Sequence, residues 1–155
     1  MRPLKKAIIA PGLVVVLLVV AVGVVSGLLR APAMRDVEAQ CGMARLYCQQ
    51  GLYDNALALY QSLMKRTHGA PFVRLGLAAA YFEKGDYAAA EEHYRRLLDS
   101  GDNSPIVLFD LGQTLARQKR PTEAAVYFRK FVQLYGKSLP DLSREAERVI
   151  KVGGE

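Results

Sequence analysis

The chain repeats itself with a period of 34 residues. Met43, Leu77 and Leu111 fall in register, followed by Ala44, Ala78 and Gly112, then by Tyr47, Tyr81 and Leu115. Farther along, Ala56, Ala90 and Ala124 align, as do Tyr60, Tyr94 and Phe128, and finally Met64, Leu98 and Val132. No gap is needed anywhere. Self-similarity at this period marks an array of helix–turn–helix units. In each copy a large, a small and another large residue stand at helical spacing, and the alanine of the second half faces the small one. Two helix backbones can therefore approach closely. A single hairpin of this kind cannot bury its apolar face alone, so the copies must stack. The predicted fold class is all-α.

The pattern resembles the tetratricopeptide repeat (TPR) family over about 37–138, as three repeats: Val37–Ala70, Pro71–Ser104 and Pro105–Ser138. The middle copy carries the motif most fully, through Leu77-Ala78, Tyr81, Gly85, Tyr87, Ala90 and Tyr94. Gly51 and Gly85 permit a tight turn between helices. In the third copy that glycine is Lys119 and the following aromatic is Pro121, although proline can serve as the first residue of a helix. Leu97 and Phe131 replace the small residue that often follows Tyr94 and Phe128 at helical spacing. A seventh helix is predicted over 139–152. Pro140 starts it, Asp141 and Glu145 lie near its positive end, and Arg148 and Lys151 near its negative end. Leu142, Ala146, Val149 and Ile150 form its apolar stripe, which caps the last repeat, and Gly153-Gly154 ends it.

Upstream of the repeats, Ala7–Leu29 is a run of 23 residues without a charge. As a helix it would reach roughly 35 Å, enough to cross a bilayer. The chain thus divides into a basic segment (1–6), a transmembrane anchor (7–29), a linker (30–36), the repeats and the cap. Arg2, Lys5 and Lys6 precede the run, which predicts a cytoplasmic N-terminus and repeats on the far side. The rival is a cleaved signal peptide ending at Ala31-Pro32-Ala33, but the run exceeds a usual h-region and Arg30 intervenes. Gly23 and Gly27 form a GxxxG, which offers self-association between anchors.

The net charge of +6 does not mark a nucleic-acid surface. Residues 1–35 hold five Lys/Arg and no acid, whereas 36–155 holds 16 basic and 15 acidic residues. The basic excess is a topology signal, and nucleic-acid binding drops out. Cys41 and Cys48, if on one helix, stand about 10 Å apart along its axis, too far to bridge. They read as small packing residues, with an intermolecular disulfide as the alternative.

Glu83, Asp86, Glu91, Glu92 and His93 crowd together as an acid–base or metal site might. All fall between the periodic apolar positions, and their counterparts one period away are neither acidic nor imidazole-bearing, so they read as solvent-facing. Glu91 pairs with Arg95, and Glu92 with Arg96, at helical spacing. His68, beside Gly69, reads as a helix end. No catalytic signature, cofactor motif or metal spacing is present. The expectation is a protein without enzymatic activity, cofactor or metal.

The resemblance implies that the first helix of each repeat lines a binding groove. Carried over, the groove presents Phe72, Leu75, Phe82, Ile106 and Phe109 as an apolar strip, rimmed by Arg45, Gln113 and Arg117. Phe72→Glu with Phe109→Glu is expected to abolish capture of a partner without changing stability. The ligand implied is a protein or peptide, as an extended segment or an amphipathic helix. The cationic clamp with which cytosolic TPR co-chaperones hold acidic tails is absent, its places being taken by Cys41, Arg45, Phe72, Leu75, Gly76, Ala79 and Asp110. The layout is similar to membrane-tethered TPR factors of cytochrome c maturation and secretion. It implies a scaffold or adaptor at the periplasmic face of the inner membrane, holding partners during assembly or secretion of an envelope complex. The alternative is a receptor on the cytosolic face of a membrane, recognising targeting segments.

Overall fold

The computed structural model describes residues 34–153. The chain divides into two compact units, Met1–Ala39 and Gln40–Glu155. Of the first unit, residues 34–39 are described, and they are helical. The predicted anchor (7–29), the basic segment before it, the Gly23/Gly27 pair and Ala31-Pro32-Ala33 lie outside the described residues. Among those described, no helix is long and apolar enough to cross a membrane.

The second unit is built from helices: α1 (40–49), α2 (Tyr53–Arg66), α3 (Pro71–Lys84), α4 (Tyr87–Asp99), α5 (Pro105–Arg117), α6 (Pro121–Tyr135) and α7 (Pro140–Gly153). No strand occurs among the described residues. From α2 onward each helix packs on the next, and α3 also meets α5. Neighbours in sequence are thus neighbours in space, as a stacked array requires.

Local chemistry sets the helix limits. Prolines 71, 105, 121 and 140 open α3, α5, α6 and α7, where a missing N–H costs nothing. Asp86 caps α4 by accepting from the Ala89 amide at 3.1 Å, worth about 1 kcal/mol. The three turns within the hairpins share one hydrogen-bond pattern. Leu52, Asp86 and Arg120 each donate a backbone N–H to the carbonyl five residues earlier, at Tyr47, Tyr81 and Leu115 (2.8, 2.9 and 3.0 Å). The residue at the bend is left-handed in all three: Gly51 (φ 74°), Gly85 (φ 89°) and Lys119 (φ 61°). The loss of glycine in the third turn therefore leaves its geometry intact and imposes backbone strain on Lys119.

The core follows the period. Ala44, Ala78 and Gly112 are buried, as are Ala56, Ala90 and Ala124, and the rings of Tyr60, Tyr94 and Phe128 are almost wholly enclosed. Each ring reaches the first helix of the following hairpin or of its own. Tyr60 lies so close to Gly76 that a Cβ there would stand 2.5 Å from the ring, and its hydroxyl donates to the Cys41 carbonyl at 3.3 Å. Phe128 crowds Gly112 in the same way, at 2.9 Å from a Cβ. Tyr94 instead donates its hydroxyl to Asp110, at 3.2 Å from Oδ2. Asp110 stands 34 residues after Gly76.

Helix α7 packs on α6, but its buried face differs from the expected stripe. Ala146 is fully buried, and Val149 and Ile150 are half-buried against the core. Leu142 is exposed, and Ser143 takes the buried place, donating its hydroxyl to the Leu139 carbonyl at 2.9 Å. The back-bond satisfies a hydroxyl that burial would otherwise leave unpaired.

Candidate functional site

The residues of the expected strip do not form a single class. Phe72 and Ile106, one period apart at the start of α3 and α5, are 40 % and 54 % exposed. Each sits just after a helix-opening proline, so its side chain projects beyond the first turn. Leu75 and Phe82 are half-buried against the core, and Phe82 meets the Tyr87 ring edge-on with centroids 5.4 Å apart. Phe109 corrects the expectation. Only 6 % exposed, it packs edge-on against Phe128 (5.4 Å) and against Phe131 (5.2 Å). Phe131 is the large residue that replaces the usual small one, and it draws Phe109 inward. Phe109 is therefore core, and Phe109→Glu would bury a charge.

Of the polar rim, Arg45 and Arg117 are exposed, while Gln113 is half-buried and donates its amide to Glu145 of α7 at 3.1 Å. Between α1 and α3 lies a cavity of about 150 Å³ lined by Arg45, Cys48, Tyr60, Gly76, Ala79 and Glu83 among others. Its mouth carries one cation and one carboxylate, and its walls are apolar. Burial pushes the Cys48 thiol up to about 11, with the neighbouring Glu83 carboxylate adding to the shift by charge and by hydrogen bond. The thiol stays protonated, so it packs rather than reacts. Neither cysteine forms a disulfide among the described residues.

The acidic cluster around His93 is dispersed by the fold. Asp86 is a helix cap, Glu83 borders the cavity, and Glu92 pairs with Arg96 at 2.5 Å on the surface. Glu91 is different from its expected role as a solvated residue. Its side chain is 14 % exposed, and it accepts from Arg95 Nε (2.7 Å), Gln118 Nε2 (2.8 Å) and Arg120 Nη1 (2.6 Å). Burial alone would raise its carboxyl, but these donors outweigh it and hold the group below its ordinary value. Gln118 also donates to the Tyr87 carbonyl at 2.9 Å. Glu91 is thus a latch tying α4 to the turn between α5 and α6. Spacing marked only its pairing with Arg95, because Gln118 and Arg120 come from the next repeat. Among the described residues no three His, Cys, Asp or Glu gather as metal ligands.

Two further groups, Asp110 and His93, lie in surroundings that the sequence did not indicate. Asp110 is mostly buried, and burial pushes its carboxyl up to about 6 despite the Tyr94 hydrogen bond, which lowers it. His93 stacks on Tyr81 with centroids 5.6 Å apart. Its Nδ1 is shut away from solvent with no hydrogen-bond partner among the described residues. Comparison of repeats would have singled out its neighbour Arg74, whose counterpart one period on is the buried Leu108.

Solved structures with the same fold include the Yersinia enterocolitica type III secretion chaperone SycD in complex with a peptide of the translocator YopD. It is 21 % identical with a TM-score of 0.68, over 76 % of this chain and 91 % of that one. PcrH from Pseudomonas aeruginosa is 20 % identical with a TM-score of 0.67, over 77 % and 92 %. The first TPR of Spaghetti (RPAP3), bound to an HSP90 peptide, is 18 % identical with a TM-score of 0.67, over 77 % and 94 %. At such identities the likeness establishes the fold alone. No curated protein matches the chain. A tetratricopeptide repeat model matches twice, over residues 41–105 and 75–138. The two matches begin one period apart, on the same helices whose small residues and buried rings recur in phase, and together they cover more than half of the sequence: the chain belongs to the tetratricopeptide repeat family.

Proposed function

We propose that this protein is a membrane-anchored, non-enzymatic adaptor that captures a partner protein or peptide on the face lined by its first helices, at the periplasmic side of the inner membrane. The observation that carries the binding role is the exposure of Phe72 and Ile106. Both occupy the same repeat position, and neither is used to stack one hairpin on another. Apolar side chains left in this arrangement suit an extended segment or an amphipathic helix. The small cavity between Arg45 and Glu83 adds a socket for one side chain of such a ligand. The solved relatives support the ligand class: SycD and the RPAP3 domain each hold a peptide, and PcrH is solved with the chaperone-binding region of PopB.

The anchor and its direction rest on the uncharged run 7–29 and on the lysines and arginine before it. Assembly or secretion of an envelope complex is the setting that fits a tethered adaptor. The binding role is tested with Phe72→Glu plus Ile106→Glu, compared with wild type by cross-linking in intact cells and mass spectrometry. A cross-linked partner lost in the variant supports the reading, and a partner unaffected by both substitutions refutes it. Topology is tested by fusing, after Glu155, a reporter active only outside the cytoplasm. Silence of that reporter would favour the cytosolic receptor instead.

A further inference from the structure

A second cleft opens on the opposite helices, where α2, α3 and α4 meet. It has a volume of about 340 Å³ and is lined by Gln61, Met64, Lys65, Arg74, Leu77, Tyr81, His93 and Arg96. Three of these are cations and none is an acid. Arg96 is engaged by Glu92 at its outer side. Among the described residues no carboxylate lies within ion-pair distance of Lys65 or Arg74. Stacking does not require these charges, because the position of Arg74 is filled in the third repeat by Leu108, fully buried. His93 forms one wall of the cleft. Its ring is pinned on Tyr81, whose hydroxyl is held in turn by Gln61 at 3.1 Å, and its Nδ1 is buried without a partner.

We propose that this cleft is a second binding site, which takes a carboxylate of an acidic peptide segment between Lys65, Arg74 and Arg96. The guanidinium of Arg74 offers paired N–H groups in the plane that a carboxylate needs. Met64, Leu77 and the Tyr81 ring provide an apolar wall for a neighbouring side chain, so the preferred segment alternates acidic and apolar residues. A cleft between hairpins suits such a strand better than it suits a broad lipid surface. The site is separate from the face that bears Phe72 and Ile106, so one chain would hold two segments at once.

The test uses the full chain in neutral detergent micelles and a fluorescein-labelled peptide of alternating Glu and Leu, followed by fluorescence anisotropy. Binding should weaken about tenfold or more in Arg74→Leu, the loss of one charge-assisted pair. Leucine is the residue the third repeat places there, so helicity and melting should hold. If Arg74→Leu fails to fold, Lys65→Gln with Arg96→Gln, both at exposed positions, should show the same loss. Phe72→Glu should leave this affinity unchanged, and a peptide with Gln for Glu should not bind. Equal affinity in wild type and the cleft variants would overturn the proposal, as would equal binding of the Gln peptide. Binding of phosphatidylglycerol vesicles or inorganic phosphate, dependent on Arg74, with no binding of the peptide, would also overturn it by assigning the cleft to a phosphate.

Discussion

Replacing Asp110 by asparagine should make the protein more stable at neutral pH and remove part of its pH dependence. The carboxyl lies against the Tyr94 ring system, mostly out of solvent, and burial raises it from 3.8 to about 6. A folded-state value above the unfolded one means that the folded chain holds this proton more tightly. The contribution of Asp110 is therefore most favourable below about pH 4, is lost as the pH rises toward about 6, and is constant above that. The loss amounts to about 3 kcal/mol. Asparagine has no proton to lose, and its amide oxygen can still accept from the Tyr94 hydroxyl. The stronger bond to the ionised carboxylate is already contained in the value of about 6, because it opposes the effect of burial. The net gain expected at pH 7 is therefore about 3 kcal/mol. Urea unfolding followed by circular dichroism, at pH values on both sides of the transition, measures the difference between the two proteins. Comparison with wild type cancels the acid groups that act in the opposite sense, Glu91 and Glu123, whose carboxyls are lowered. Parallel pH curves, or a variant less stable at pH 7, would show that the ionised carboxylate is well solvated and that the argument is wrong.

Five other substitutions probe the packing and the backbone. Phe109→Ala should cost about 3–5 kcal/mol in thermal or urea unfolding, and Phe72→Ala no more than about 0.5 kcal/mol; similar losses would return Phe109 to the surface. Gly76→Ala should destabilise by about 1–3 kcal/mol, because the new methyl meets a ring that is itself fixed. Gly42→Ala, where a Cβ meets nothing within 4 Å, should stabilise by up to about 1 kcal/mol through helix propensity; the opposite order in unfolding midpoints would disprove the packing account. Lys119→Gly should raise stability by about 1 kcal/mol by relieving its left-handed backbone, and a lower melting temperature would mean that the lysine stem makes compensating contacts.

The period made the fold legible because the repeat is a packing rule. Small residues at 78 and 112, alanines at 90 and 124 and rings at 94 and 128 have no alternative use, so their phase specifies both the helices and their stacking. The same rule concealed part of the candidate site. The expected strip groups Phe109 with Phe72, but Phe109 stands three repeat positions farther along its helix, where the Phe128 and Phe131 rings enclose it. Glu91 stands on a helix face that reads as solvated, and its burial comes from Gln118 and Arg120 in the next repeat. Leu142 and Ser143 show the limit of periodicity outside the three repeats: one step of helix rotation exchanges them.

The latch on Glu91 also bears on how the array comes apart. The middle and last repeats are joined by a carboxylate that is 14 % exposed and held by three donors. The matching link between the first and middle repeats is Lys84 on Asp54, with side chains 42 % and 85 % exposed. In a linear array each junction contributes its own term to cooperativity. Water and salt screen the earlier junction more than the later one. On the ion-pair contribution alone, the hairpin of α1 and α2 parts from the array more readily in salt than the hairpin of α5 and α6. Phe72, at the start of α3, lies beside that hinge, so a ligand seated there would act as a clasp across the weaker seam.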